Sequence, residues 1–268
     1  FNGYSLSNFD SDPYPTFVTE YLPKRSLQQI YDPAKNSSTP NQLTNTSRYI
    51  ILLGTALAIN HLHSMNIIHQ NLKPSNILLD DHYYPRICDF GLSTKNTTYL
   101  APEILSGHQF TFKSDVYSYS LIAYELITSK QLPVQISEIQ GKDNQTFFMR
   151  CISQKPSERP LFNEVLKHIL QKSFISIFND VNLDEVTNFL NNLNINTDSY
   201  IFLSLAYIYL ANNNIIESLK NFKLASENGN TDAMTKYATI LYEGEFNVKP
   251  NKTEALHYYK LASENGNT

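Results

Sequence analysis

The sequence predicts a mainly helical protein: an α+β lobe with a remnant β-hairpin, followed by an α-solenoid of helical hairpins. Three observations predict it. Two apolar segments, about 47–64 and 114–129, have helical character, and the second is apolar on nearly every face, as in a helix buried all round. Between them, "NIIHQNLKPSNILLDDHYYPRICDFGLS" alternates short apolar pairs with turn residues, which reads as small strands around a loop. In the tail, "SLKNFKLASENGNTDA" (218–233) returns as "ALHYYKLASENGNT" (255–268) at an offset of 37 residues, and a helix-pair repeat of that length marks a solenoid.

Taken in order, "YPTFVTEYL" (14–22) is β-branched and aromatic and reads as a strand. The polar stretch 32–46, with two prolines, reads as a loop. The helix from Ser47 to about Ser64 places Ile50, Leu53 and Leu57 on one face. The helix at 114–129 opens on Ser114 and Asp115 as its cap. "PLFNEVLKHILQKS" (160–173) starts with Pro and is amphipathic, as a surface helix would be. "NLDEVTNFLNNLN" (182–194) offers Asn182 and Glu185 as a capping box and reads as a connecting helix. In the tail, "LAYIYLANN" (205–213) answers "YATILYEGE" (237–245). Ala206, Ala225, Ala238 and Ala262 let helices approach closely, and Gly229 and Gly266 serve the turns after the second helices. The resulting division is 1–173 for the lobe, 174–198 for a connector and 199–268 for about two repeat units.

Composition excludes several function classes. With 268 residues and 41% hydrophobic content the chain can bury real cores. A net charge of −4 and a pI near 6.0 give no electrostatic footprint for nucleic acid or an anionic membrane. No apolar run approaches the length of a membrane span. Cys88 and Cys151 stand in no CxxC or Cys/His pattern, so no zinc site is expected, and reduced thiols fit a cytoplasmic location. The first residues lack the basic and apolar regions of a signal peptide, and the sequons read as chance matches in an Asn-rich chain.

Residues 1 to about 172 resemble the C-terminal lobe of a protein kinase, nearest the tyrosine-kinase-like serine/threonine group. "VTEYL" (18–22) resembles the hinge, with Thr19 as gatekeeper. "HQNLKPSN" (69–76) resembles the catalytic loop, "DFG" (89–91) and "APE" (101–103) bracket an activation segment, "SDVYSYS" (114–120) resembles the buried helix, and "PSERP" (156–160) the late Arg motif. Residues 200–268 resemble Sel1-like repeats, with "YATILYEG" followed by "NKTEALHYYKLASENGN".

The kinase resemblance implies ATP and Mg²⁺ as cofactors. It maps Asn76 and Asp89 onto the magnesium ligands and Lys73 onto the lysine that steadies the γ-phosphate. The backbone of Glu20 and Leu22 would bond adenine, with Leu78 beneath it. It also implies losses. Asn71 stands where the family has the Asp that accepts the substrate's hydroxyl proton, and an amide oxygen is not basic near pH 7. Gln70 replaces the Arg that grips an activation-loop phosphate. The segment from Asp89 to Glu103 spans 15 residues, little platform for a protein substrate. The family's Gly-rich loop, strand lysine and partner Glu are expected many tens of residues before the hinge, whereas 18 residues precede Thr19 here and no Lys or Arg occurs before Lys24. The expectation is therefore a pseudokinase scaffold whose Sel1-like repeats bind protein partners, read from a piece of a longer protein; the alternative is an active Ser/Thr kinase. Glu103 and Arg159 are expected as a buried ion pair, Asp115 as an acceptor for catalytic-loop amides, His69 as scaffold, and His61 and His63 as packing or surface residues. Ser93, Thr94, Thr97 and Thr98 read as ordinary loop residues, Cys88 as a small buried residue, and the repeat tyrosines as core.

Overall fold

The computed structural model describes residues 3–5, 16–18, 20–31, 43–91, 97–193 and 199–266. Thr19, most of the 32–46 loop, Ser93, Thr94 and the segment 194–198 lie outside them. The chain is mainly helical, with two small antiparallel hairpins among the described residues. The first pairs β1 (Gly3–Ser5) with β2 (Thr16–Val18). A short helix, α1 (Leu27–Tyr31), leads toward α2 (Asn45–Ser64), the long helix that ends just before the catalytic-loop motif. Thr44 caps α2, its hydroxyl accepting the Ser47 amide.

The one-faced reading of α2 was too narrow. Tyr49 to Leu53, Ala56, Leu57 and Ile59 are all buried, so this helix is wrapped on most sides. Residues 67–76 then cross to β3 (Ile77–Leu79), which pairs with β4 (Pro85–Ile87) in the register Ile77↔Ile87. Ile77 and Leu79 are fully buried while Leu78, on the opposite face, is half-exposed, as alternation along a strand requires.

After α3 (Pro102–Leu105) comes α4 (Phe112–Thr128), the buried helix. Its cap is Thr111 rather than Ser114 and Asp115. Ser114 sits at the third helical position, and its hydroxyl oxygen accepts the Thr111 amide, completing a capping box. Asp115 is thereby free to face the catalytic loop. Next come α5 (Lys142–Cys151), α6 (Phe162–Ile169) and α7 (Lys172–Ile175). In α6 the stripe Phe162, Val165, Leu166 and Ile169 is buried, confirming its amphipathic character.

The segment expected as a connector is built into the lobe. Phe174, Ile175, Ile177 and Phe178 join the core, and so do Val186, Phe189 and Leu190 of α8 (Leu183–Asn192). A Cβ on Gly54 of α2 would lie 2.5 Å from Pro85 Cγ and 2.7 Å from Phe189 Cζ, so only glycine lets these three elements meet.

The tail forms two helical hairpins, α9 (Ser199–Ala211) with α10 (Ile215–Glu227), and α11 (Thr231–Glu243) with α12 (Lys252–Glu264). First helices start 32 residues apart and second helices 37 apart; the difference is a longer turn between α11 and α12. Ala206, Ala225, Ala238 and Ala262 are buried where helices cross, and Gly229 and Gly266 take positive φ after α10 and α12. Tyr237 and Tyr258 meet edge to face at 5.0 Å in the repeat core.

Candidate active site: the catalytic loop

The site lies between the end of α2, the β3–β4 hairpin and the start of α4. Asp115 organises it. Its carboxylate accepts the backbone amides of His69 (2.8 Å) and Gln70 (3.0 Å) and the ring Nε2 of His63 (2.9 Å). Gln70 is held at φ +67°, a left-handed conformation that costs a non-glycine residue and persists only where its surroundings enforce it. Asp89 is likewise at φ +58°, and Gly91 N–H donates to His69 O at 2.8 Å to close the turn.

His69 is fully buried, and burial pushes its imidazole below the usual range, against the raising effect of Asp115. Its Nδ1 accepts the Asn71 amide at 3.3 Å, so the basic nitrogen is already engaged and the residue acts as scaffold. Asn71 is buried; its Nδ2 donates to Asp89 O at 3.4 Å, and its Oδ1 has no hydrogen-bond partner among the described residues.

The hairpin register brings the two residues expected to hold magnesium to one end of the sheet. Asn76 directly precedes β3 and Cys88 directly follows β4, and Cys88 N–H donates to Asn76 O at 3.1 Å. Asn76 is buried and oriented by Nδ2 donating to Asn71 O at 2.8 Å, while its Oδ1 accepts the Ser75 hydroxyl at 3.3 Å. Asp89 is exposed beside it. Lys73 is half-buried and extended, at the start of the turn Pro74–Asn76. Glu20 is exposed and Leu22 half-buried at the opposite edge, and the Ser26–Leu78 bridge ties that edge to β3. Burial pushes the Cys88 thiol up to about 11, so it is no nucleophile near neutral pH.

The activation segment is anchored at its far end. Arg159, 1% exposed, grips Glu103 with two bonds of 2.7 Å, and its remaining donors reach Ser153 O (2.9 Å) and Lys113 O (3.0 Å). Burial alone would raise the Glu103 pKa, but the bonds from Arg159 and its charge outweigh it and hold the carboxyl below the usual range. Sequence reasoning missed a second anchor. The Tyr99 hydroxyl reaches both oxygens of Glu125 (3.1 and 2.9 Å), and Ser118 Oγ donates to Tyr99 O at 2.7 Å. The available signal was a single acid, Glu125, in an otherwise apolar stretch of α4. His63, expected as an ordinary packing or surface residue, packs on Phe112 and Phe162 and completes the Asp115 cluster.

A family model for the protein kinase domain matches residues 5–175. The chain belongs to the protein kinase family. A second model, the Sel1 repeat, matches residues 231–267, so a protein kinase domain and a Sel1 repeat share this chain. Among its relatives are the RGS domain-containing serine/threonine-protein kinase A of Dictyostelium discoideum (32% identical, covering 64% of this chain and 17% of the relative) and the cysteine-rich receptor-like protein kinase 10 of Arabidopsis thaliana (39%, covering 42% and 19%). The dual specificity protein kinase shkB of Dictyostelium is 27% identical over 60% of this chain and 29% of its own length. The matched regions span between 11% and 29% of these and related proteins.

Kinases as a family use ATP and Mg²⁺. The donor set fits the ion: Asn76 and Asp89 offer oxygens, and Mg²⁺ takes one or two protein oxygens and completes its shell with phosphate and water. Asp89 is presented from left-handed backbone, and Asn76 is oriented by its bond to Asn71 O. Asn71, at the position expected for the family's proton acceptor, carries an amide.

Proposed function

We propose that this chain is a pseudokinase scaffold of the cytoplasm, with phosphoryl transfer impaired or absent and protein partners bound along its Sel1 repeats. One observation carries the reading. Asn71 stands at the expected general-base position; its NH₂ is turned to Asp89 O, and the oxygen that remains is an amide oxygen, which is not basic near pH 7 and cannot take a proton from a substrate hydroxyl. General-base catalysis contributes about 10²–10⁴-fold, enough for its loss to take a signalling enzyme below useful turnover. In a nucleotide complex Asn76 and Asp89 would hold Mg²⁺, Lys73 would steady the γ-phosphate, and the backbone of Glu20 and Leu22 would meet adenine over Leu78, with Thr19 as gatekeeper. Mg²⁺ would neutralise charge on the phosphates; the chain's own residues orient it.

The test is transfer of labelled phosphate from ATP to a Ser/Thr peptide mixture. The expected result is no turnover above a Lys73→Ala control, with Asn71→Asp raising any residual rate by about 10²–10⁴-fold. Robust turnover by the wild-type chain that vanishes in Lys73→Ala would sink the proposal. The second reading, an active Ser/Thr kinase, is favoured by the retained Lys73, Asn76 and Asp89. A thermal shift with Mg–ATP separates both readings from an inert adaptor, for which no shift is expected.

A further inference from the structure

The kinase match ends at residue 175 and the Sel1 match begins at 231, leaving α8, α9 and α10 between them. Helix α8 is packed into the lobe, yet its local design is that of the repeats. Asn182 caps α8, accepting the amides of Asp184 and Glu185; Asn214 caps α10, accepting the Glu217 amide; Asn251 caps α12, accepting the Glu254 amide. Each cap is an Asn with a Glu three residues on, and the Asn182–Glu185 and Asn251–Glu254 side chains also bond each other at 2.9 Å.

A capping box recurs in unrelated helices, so it alone decides nothing. The spacing and burial add two independent agreements. Asn182 and Asn214 stand 32 residues apart, the same offset at which "LAYIYLANN" (205–213) is answered by "YATILYEGE" (237–245). Four residues beyond each cap stand Val186, Ser218 and Ala255, and seven beyond stand Phe189, Asn221 and Tyr258; all six are buried.

The next helix agrees as well. In α9, Ile201, Leu205 and Ile208 are buried in the lobe's core, while Leu203 and Ala206 belong to the core of the repeats. Thirty-two residues later, the counterparts of the first three are Ala233, Tyr237 and Ile240, buried in the repeat core. Helix α8 packs on α9 as α10 packs on α11. The face that α11 turns to the repeat core, α9 turns to the kinase lobe.

We propose that α8 is a Sel1-type second helix built into the kinase lobe, so that the repeat array starts at Asn182 and lobe and repeats unfold as one unit. A solenoid's terminal unit exposes an apolar face that needs a cap. Here the lobe supplies it, through Phe189 seated against Gly54 and 4.9 Å from the Tyr84 ring, with Lys167 and Asp232 paired at 2.7 Å across the junction. A partner on the repeats is thereby held at a fixed orientation to α2, the helix that leads into the catalytic loop.

Hydrogen exchange on the full chain, read by peptide, tests this. In Phe189→Ala, amides of α9 and α10 lose protection together with those of α2, each by about tenfold or more. If that variant does not fold, Phe189→Leu gives the same pattern at smaller amplitude. Loss confined to α2 and α8, with α9 and α10 unchanged, overturns the proposal. So does a wild-type chain whose lobe and repeats unfold in separate denaturant transitions.

Discussion

The Glu103–Arg159 anchor and the Asn71 position lie in one lobe and derive from one family pattern, but they have fared differently. At the anchor every charge is met: Arg159 is buried with donors to Glu103, Ser153 and Lys113. At Asn71 a polar oxygen is buried with no partner among the described residues, and the side-chain NH₂ makes a long bond of 3.4 Å. The anchor holds the fold, so its loss leaves a buried charge uncompensated. Asn71 is uncharged and its side chain donates one long bond, so the architecture leans on it far less. The backbone at Gln70 and Asp89 is left-handed with an amide, not a carboxylate, at position 71 between them.

Perturbing each side measures that contrast. The largest effect is expected from Arg159→Ala, about 3–5 kcal/mol lost in urea unfolding; a loss below about 1 kcal/mol would mean that the anchor is ornamental. Next is Asp115→Ala, which strands the His69 and Gln70 amides and is expected to cost about 2–3 kcal/mol, with faster exchange at residues 69–71. A third effect comes from acid. Because the folded-state pKa of Glu103 is depressed, its contribution is present above the ordinary carboxylate value of 4.5 and fades as pH falls through the lower, folded value. Wild type should lose stability over that window faster than Glu103→Gln; parallel pH curves would refute the assignment. Smallest is Asn71→Ala, expected to change stability by less than about 1 kcal/mol, and a larger loss would show that Asn71 has become a structural residue.

Much of the lobe was legible before any coordinates. The catalytic-loop, DFG and APE motifs placed Asn71, Lys73, Asn76 and Asp89 in one region, and the register of β3 and β4 brings Asn76 and the residue before Asp89 together. The Glu103–Arg159 pair and the Asp115 amide bonds were foreseen, as were the small and glycine positions of the repeats. Other features were not. Ser114 and Asp115 resemble a helix start, but Thr111 precedes them and wins the cap, because a cap needs extended backbone and the helix already includes both. The Tyr99–Glu125 contact joins residues 26 apart in sequence, beyond any local pattern.

From sequence alone come the kinase-like lobe, the helical repeats and the expectation of an amide where the family has its base, because motifs and periodicities are local and survive without knowledge of neighbours. Where α8 belongs was decided by tertiary structure. Its cap and stripe are those of any amphipathic helix, and only packing against Gly54, Tyr84 and α9 reveals that one face serves the lobe while the helix keeps the spacing of the repeats. Burial is a property of what lies opposite, and no stretch of chain encodes its own partner.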